Sequence, residues 1–62
     1  MSPSTYRKHR ERIGSVPVAA RVLGLGRRTI ERRESGRLSI SRESAIAIRA
    51  AADRAARTTG KA

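Results

Sequence analysis

Apolar positions recur at helical spacing in four segments of the chain, and residues that start or stop helices bound the segments. Ser2 directly before Pro3 opens the first segment, and Ser15 two residues before Pro17 opens the second. Glycines at positions 14, 24 and 36 close the first three segments. The pattern predicts helices over residues 3–13, 16–23, 27–35 and 42–57. Because no segment alternates as a strand does, we expect a single all-α domain, residues 1–57. It would be a compact bundle of four to five short helices, with a flexible tail at residues 58–62.

One charged residue falls inside a stripe that is otherwise apolar. Successive residues of a helix are rotated by about 100° about its axis. One side of the first predicted helix therefore carries Tyr6, Arg10 and Ile13. On the third helix, Glu34 lies only about 40° from Ile30, which is expected to face the core. The pattern predicts an ion pair between Arg10 and Glu34. The alternative is that both side chains reach solvent independently.

The segment between the third and fourth helices offers two apolar anchors and a helix cap. Leu38 and Ile40 are expected to pack into the core, and Ser41 is placed to cap the last helix. In that helix, Ile46 and Ile48 lie about 160° apart. If Ile48 serves the core, the face of Ile46 is left for a second copy of the chain. The predicted dimer interface is Ile46, Ala50 and Asp53, and the alternative is that Ile46 is a lone exposed aliphatic residue.

Composition narrows the possible partners and chemistry. The 62 residues carry a net charge of +10, which favours phosphate polymers, anionic membranes or acidic proteins as partners. No cysteine and one histidine leave no basis for disulfides or a metal site, and no cofactor is expected. Without a long apolar run or a signal-peptide pattern, we expect a cytoplasmic protein with no membrane partner. Tyr6 and His9 are not grouped with other catalytic residue types, so we do not expect an enzyme.

The third predicted helix contains four arginines, and two of them lie on the side opposite its apolar residue. With Ile30 turned to the core, Arg28 and Arg32 fall about 160° away on either side, and Arg27 and Arg33 fall about 60° away. A short helix, a glycine turn and a second helix with a basic outer face form the helix-turn-helix unit, whose second helix enters the major groove of DNA.

The segment "AARVLGLGRRTIERRESG" resembles the core motif of the XRE, or lambda-repressor-like, DNA-binding family. The downstream "ISRESAIAIRA" is similar to the family's next segment, and the resemblance covers about residues 5–53. The chain departs from the family at Val16, Ala19 and Arg33, where a polar residue, a leucine and a large apolar residue are usual. The matching positions are Ala20, Gly24, Leu25, Gly26, Ile30, Glu34 and Gly36.

The resemblance implies that helix 27–35 reads double-stranded DNA through Arg27, Arg28 and Arg32. Arginine pairs bidentately with guanine, so half-sites containing G are expected. Glu31 either accepts from cytosine N4 or pairs with Arg27, one turn away. At the start of the second helix, backbone N–H groups can hold a phosphate. Arg33 either packs its stem against the core or contacts a phosphate, and the alternative for the last four residues is ordinary caps and solvated charge. The predicted phosphate contacts are Ser15, Val16, Arg33, Arg37, Ser39, Ser41 and Arg42.

Together these features predict a homodimeric autorepressor bound to an inverted-repeat operator. A DNA-binding domain of this size resembles the regulators of phage or mobile-element operons, and that resemblance implies an operon of this kind. No small-molecule ligand is expected. The alternatives are an antitoxin of a toxin–antitoxin pair and a basic RNA-binding or ribosome-associated protein. The latter usually displays aromatic residues for stacking.

Overall fold

Four helices make up the protein in a computed structural model that describes residues 1–60, with side chains described through residue 57. They are α1 (Pro3–Ile13), α2 (Val16–Leu23), α3 (Arg27–Ser35) and α4 (Arg42–Gly60). The all-α prediction is confirmed, and the first three helices have the predicted bounds. The fourth continues three residues beyond its predicted end. Of the predicted tail, residues 61–62 lie outside the described residues.

Local capping explains where most of the helices begin. The backbone N–H of Thr5 donates to Ser2 Oγ at 3.2 Å at the start of α1, and that of Ser44 donates to Ser41 Oγ at 3.1 Å at the start of α4. Ser15 occupies the corresponding position before α2 but makes no side-chain capping bond. The first N–H groups of α2 therefore lack a side-chain acceptor.

The core is small, and three of the four helices each contribute one large, fully buried residue to it. Tyr6, Ile30 and Ile48 are fully buried, from α1, α3 and α4 respectively. Alanines fill the space between them, so the helices approach closely. The other buried residues are Ala19, Ala20 and Ala52, and those packed at the margin are Ile13, Val16, Leu23, Leu25 and Ile40.

Only one of the two predicted anchors before α4 reaches this core. Ile40 packs against it, whereas Leu38 is 39% exposed, so the prediction for Leu38 was wrong. The backbone N–H groups of Arg37 and Leu38 both donate to the Arg32 carbonyl, at 2.9 and 3.2 Å. These bonds hold the chain against the end of α3, and it enters the core only two residues later.

The helices form a compact unit in which α1 contacts the other three helices. The radius of gyration is 10.9 Å, close to the value of about 10.6 Å expected for a compact chain of this length. One dimension, 36 Å, is much longer than the other two, because α4 has 19 residues. Since α1 bridges the bundle, its contacts with α3 fix the orientation of that helix.

Candidate nucleic-acid interface

The α3 helix turns its one large apolar residue inward and its arginines outward. Ile30 is fully buried, while Arg28 and Arg32, on the opposite side of the helix, are exposed. Arg27, in the first turn, is exposed as well. The structure therefore places all three predicted base-reading residues at the surface.

The α2–α3 turn is short and fixed by backbone geometry. Gly24 ends α2 in the left-handed conformation, with φ of 69°. Leu25 follows, packs against the core and donates its N–H to the Ala20 carbonyl at 2.9 Å. These constraints hold the start of α3 in a fixed position relative to α2.

Beside α3 runs an open groove rich in guanidinium groups. Arg28, Arg32 and Arg37 line it together with Glu31 and Ser35. None of the three arginine side chains forms an ion pair or side-chain hydrogen bond with the described residues. Glu31 is also without an ion pair among residues 1–57, so the interpretation that it pairs with Arg27 was wrong. Three positive charges and one negative charge thus face solvent in one groove without forming ion pairs among the described residues.

The predicted ion pair between Arg10 and Glu34 is present and holds α3 to α1. Arg10 Nε donates to Glu34 Oε2 at 2.8 Å, and Arg10 Nη2 donates to Glu34 Oε1 at 3.1 Å. Each side chain is only 13% exposed, so the alternative that both reach solvent was wrong. The hydrogen bond to Glu34 raises the pKa of Arg10 above its ordinary value, against the opposing effect of desolvation.

One arginine of α3, Arg33, also contacts α1, through a hydrogen bond to Tyr6 that the sequence did not predict. Arg33 Nη1 donates to Tyr6 Oη at 3.0 Å, and the guanidinium carbon lies 5.7 Å from the centre of the tyrosine ring. Arg33 Nε is buried and has no partner among the described residues. The position of Arg33, about 60° from Ile30, was the available signal for an inward side chain. Its phosphate contact stays a prediction.

The remaining predicted phosphate contacts lie at the starts of α2 and α4 and in the segment before α4. Ser15 is exposed and Val16 is half-buried at the start of α2, where only backbone N–H groups are offered. The Ser41 hydroxyl is already engaged with Ser44. Of this set, the structure brings only Arg37 into the groove with Arg28 and Arg32. The exposed members are Ser15, Arg37, Ser39, Ser41 and Arg42.

Among residues 1–57, α4 and α2 each expose aliphatic side chains, and the sequence predicted only the exposed face of α4. On α4, Ile46 is 58% exposed, and Ala50 and Asp53 are exposed beside it, with Asp53 paired to Arg12 at 3.7 Å. On α2, Val18 and Val22 are 47% and 56% exposed. Their spacing of four residues, away from the buried alanines, was the signal that sequence reasoning missed.

Comparison with protein-family models, curated proteins and solved structures finds no match to this chain. The resemblance to the XRE family therefore stays a prediction that depends on the residues quoted above. Within residues 1–60, no helix combines the length and the apolar character that a membrane span needs.

Proposed function

We propose that this protein is a sequence-specific, double-stranded DNA-binding transcriptional regulator in which α2 and α3 act as a helix-turn-helix. The observation that carries the proposal is the arrangement of α3: Ile30 is fully buried, and Arg28 and Arg32 face solvent unpaired on the opposite side. A helix of nine residues is about 13 Å long. With its side chains a helix is about 10–12 Å in diameter, which fits the major groove, about 12 Å wide.

Guanine is the base that these side chains suit best. The guanidinium group matches the O6 and N7 acceptors of guanine with two parallel hydrogen bonds. Asparagine and glutamine, which pair in this way with adenine, do not occur in the chain. We propose that Arg28 and Arg32 read guanines, that Arg27 reads a further base, and that Arg37 contacts the backbone at the groove edge.

The burial of the only aromatic residue favours DNA over RNA as the partner. Recognition of single-stranded RNA commonly uses aromatic rings on which bases stack. Tyr6 is the one Phe, Tyr or Trp of the chain, and it is fully buried with its hydroxyl bonded to Arg33. No Phe, Tyr or Trp ring is therefore available at the surface.

We propose that the protein binds as a two-fold dimer through Ile46, Ala50 and Asp53. A helix that is apolar on a second face is covered on that face in a stable assembly. Two copies would place their α3 helices about 34 Å apart and require an inverted repeat. In this proposal the protein acts in the cytoplasm as an autorepressor of its own operon. It represses because a dimer bound to the operator blocks the access of RNA polymerase to the promoter.

Selection of bound sequences from a random pool of DNA duplexes tests the proposal. The expected result is an inverted repeat of G-containing half-sites whose centres are about 10 base pairs apart. A variant with Arg28 and Arg32 both replaced by alanine should enrich no site. Arg21→Ala is the matched control, because Arg21 is exposed on α2 and forms no ion pair with the described residues. Equal binding of the wild-type protein to selected and scrambled duplexes would contradict the proposal.

A further inference from the structure

The groove beside α3 contains a carboxylate that neither the fold nor charge attraction accounts for. Glu31 is exposed and lines the groove with Arg28, Arg32 and Arg37. It forms no ion pair with any described residue. It is the fifth residue of α3, beyond the first turn in which a carboxylate interacts favourably with the helix dipole.

On a surface that bound only phosphate, this carboxylate would be unfavourable. Its charge repels the DNA backbone and reduces the field of the three guanidinium groups around it. A carboxylate at such a position is useful only where it meets a hydrogen-bond donor. In the major groove the base donors are cytosine N4 and adenine N6, and in adenine the neighbouring N7 is an acceptor that repels a carboxylate.

We infer that Glu31 is a specificity-determining residue that accepts a hydrogen bond from the N4 amino group of a cytosine adjacent to a guanine read by Arg28. This inference rests on the proposed function and names the base pairs that the groove distinguishes. Arg28 and Glu31 are three residues apart, which is about 4.5 Å along the helix axis and 60° around it. The rise between base pairs is about 3.4 Å, so the two side chains are spaced for neighbouring pairs.

Replacing the acceptor by an amide gives the sharpest test. Glutamine presents a carbonyl and an N–H₂ group, and it pairs bidentately with adenine N6 and N7. In a binding selection, Glu31→Gln should change one position of each half-site from cytosine to adenine and leave the guanines unchanged. Glu31→Ala should lose the preference at that position only. A good base contact usually discriminates against the wrong base by about 1–3 kcal/mol, and every 1.4 kcal/mol is a factor of ten. The preference for cytosine should therefore fall by about 5- to 150-fold.

Glu43→Ala is the control for charge alone. Glu43 is also exposed and without an ion pair among the described residues, but it lies at the start of α4 and does not line this groove. The Glu43→Ala variant should bind all duplexes slightly more tightly, because a negative charge is removed, and it should keep the wild-type base preferences. Helical circular dichroism of each variant verifies that the fold is unchanged.

Two results would overturn the inference. One is a cytosine preference that survives in Glu31→Ala, and the other is a change in base preference of the same size in Glu43→Ala. Failure of the proposed function looks different, because the wild-type protein itself would then select no site.

Discussion

Arg10 and Glu34 join α1 to the last turn of α3 through two parallel hydrogen bonds, of 2.8 and 3.1 Å. The third nitrogen of the same guanidinium, Nη1, donates to the Gly14 carbonyl at 3.1 Å. One side chain thus connects α1, the α1–α2 turn and α3. Because the pair is mostly buried, removal of either partner leaves the other charge without compensation.

We therefore expect Glu34→Ala to lower the free energy of unfolding by about 3 kcal/mol, the lower end of the range for buried pairs. The exposed pair Arg7–Glu11 is the matched control, and Glu11→Ala should cost no more than about 0.5 kcal/mol. A domain of 62 residues has a total stability of roughly 3–9 kcal/mol. Glu34→Ala should therefore keep at most about 6 kcal/mol of that stability and unfold at a clearly lower urea concentration than the wild-type protein. Equal losses in the two variants would contradict the argument.

A second prediction concerns Tyr6 and Arg33. Tyr6→Phe keeps the buried ring but removes the acceptor of the Arg33 hydrogen bond. We expect a loss of about 1.5–3 kcal/mol, the range for hydrogen bonds to charged groups, measured by urea denaturation. In an Arg33→Leu background the same change should cost much less, because the donor is already absent. Additive losses in the two backgrounds would show that the bond contributes nothing to stability.

Most of the helix bounds follow from local sequence because the signals are local. Ser2 and Pro3 set the start of α1, Pro17 lies in the first turn of α2, and glycines set the ends of the first three helices. The pair between Arg10 and Glu34 was also predictable, because each residue lies on the apolar side of its own helix. Charges on two facing apolar stripes have few partners other than each other.

Contacts that depend on how helices cross were not predictable in this way. Periodicity gives the angle of a residue around its own helix, but not the position of the neighbouring helix along it. The exposed pair Arg12–Asp53 and the Arg33–Tyr6 contact both depend on that position. The exposure of Leu38 depended instead on backbone bonds at the end of α3.

A third prediction concerns the turn between α2 and α3. Gly24 has φ of 69°, and a Cβ added there would meet no atom within 4 Å. Gly24→Ala should therefore destabilise the protein through backbone strain alone, by about 1–2 kcal/mol. Gly24→Asn should cost less, because asparagine tolerates this conformation. Thermal unfolding of the two variants measures the difference, and an equal cost would indicate a side-chain clash instead.

A fourth prediction separates the two exposed apolar faces. If α4 forms the dimer interface, Ile46→Ser should shift sedimentation equilibrium towards monomer and weaken binding to an inverted repeat more than to a single half-site. Val22→Ser is the matched control, since Val22 is 56% exposed and Ile46 is 58% exposed. Neither change removes buried packing, so both variants should remain folded. Dissociation caused by Val22→Ser and not by Ile46→Ser would move the interface to α2.

The last prediction distinguishes base reading from attraction to phosphate. Arg28→Ala or Arg32→Ala should cost about 1–3 kcal/mol of binding free energy on the selected duplex and much less on a scrambled one. Arg37→Ala should weaken binding to both duplexes alike and reduce the log–log salt slope by about 0.9, the value for one phosphate contact. Fluorescence anisotropy at several salt concentrations measures both effects. If Arg28→Ala and Arg37→Ala instead lowered affinity equally on every sequence, the exposed face of α3 would be a phosphate-binding surface, and sequence recognition would have to come from another part of the protein.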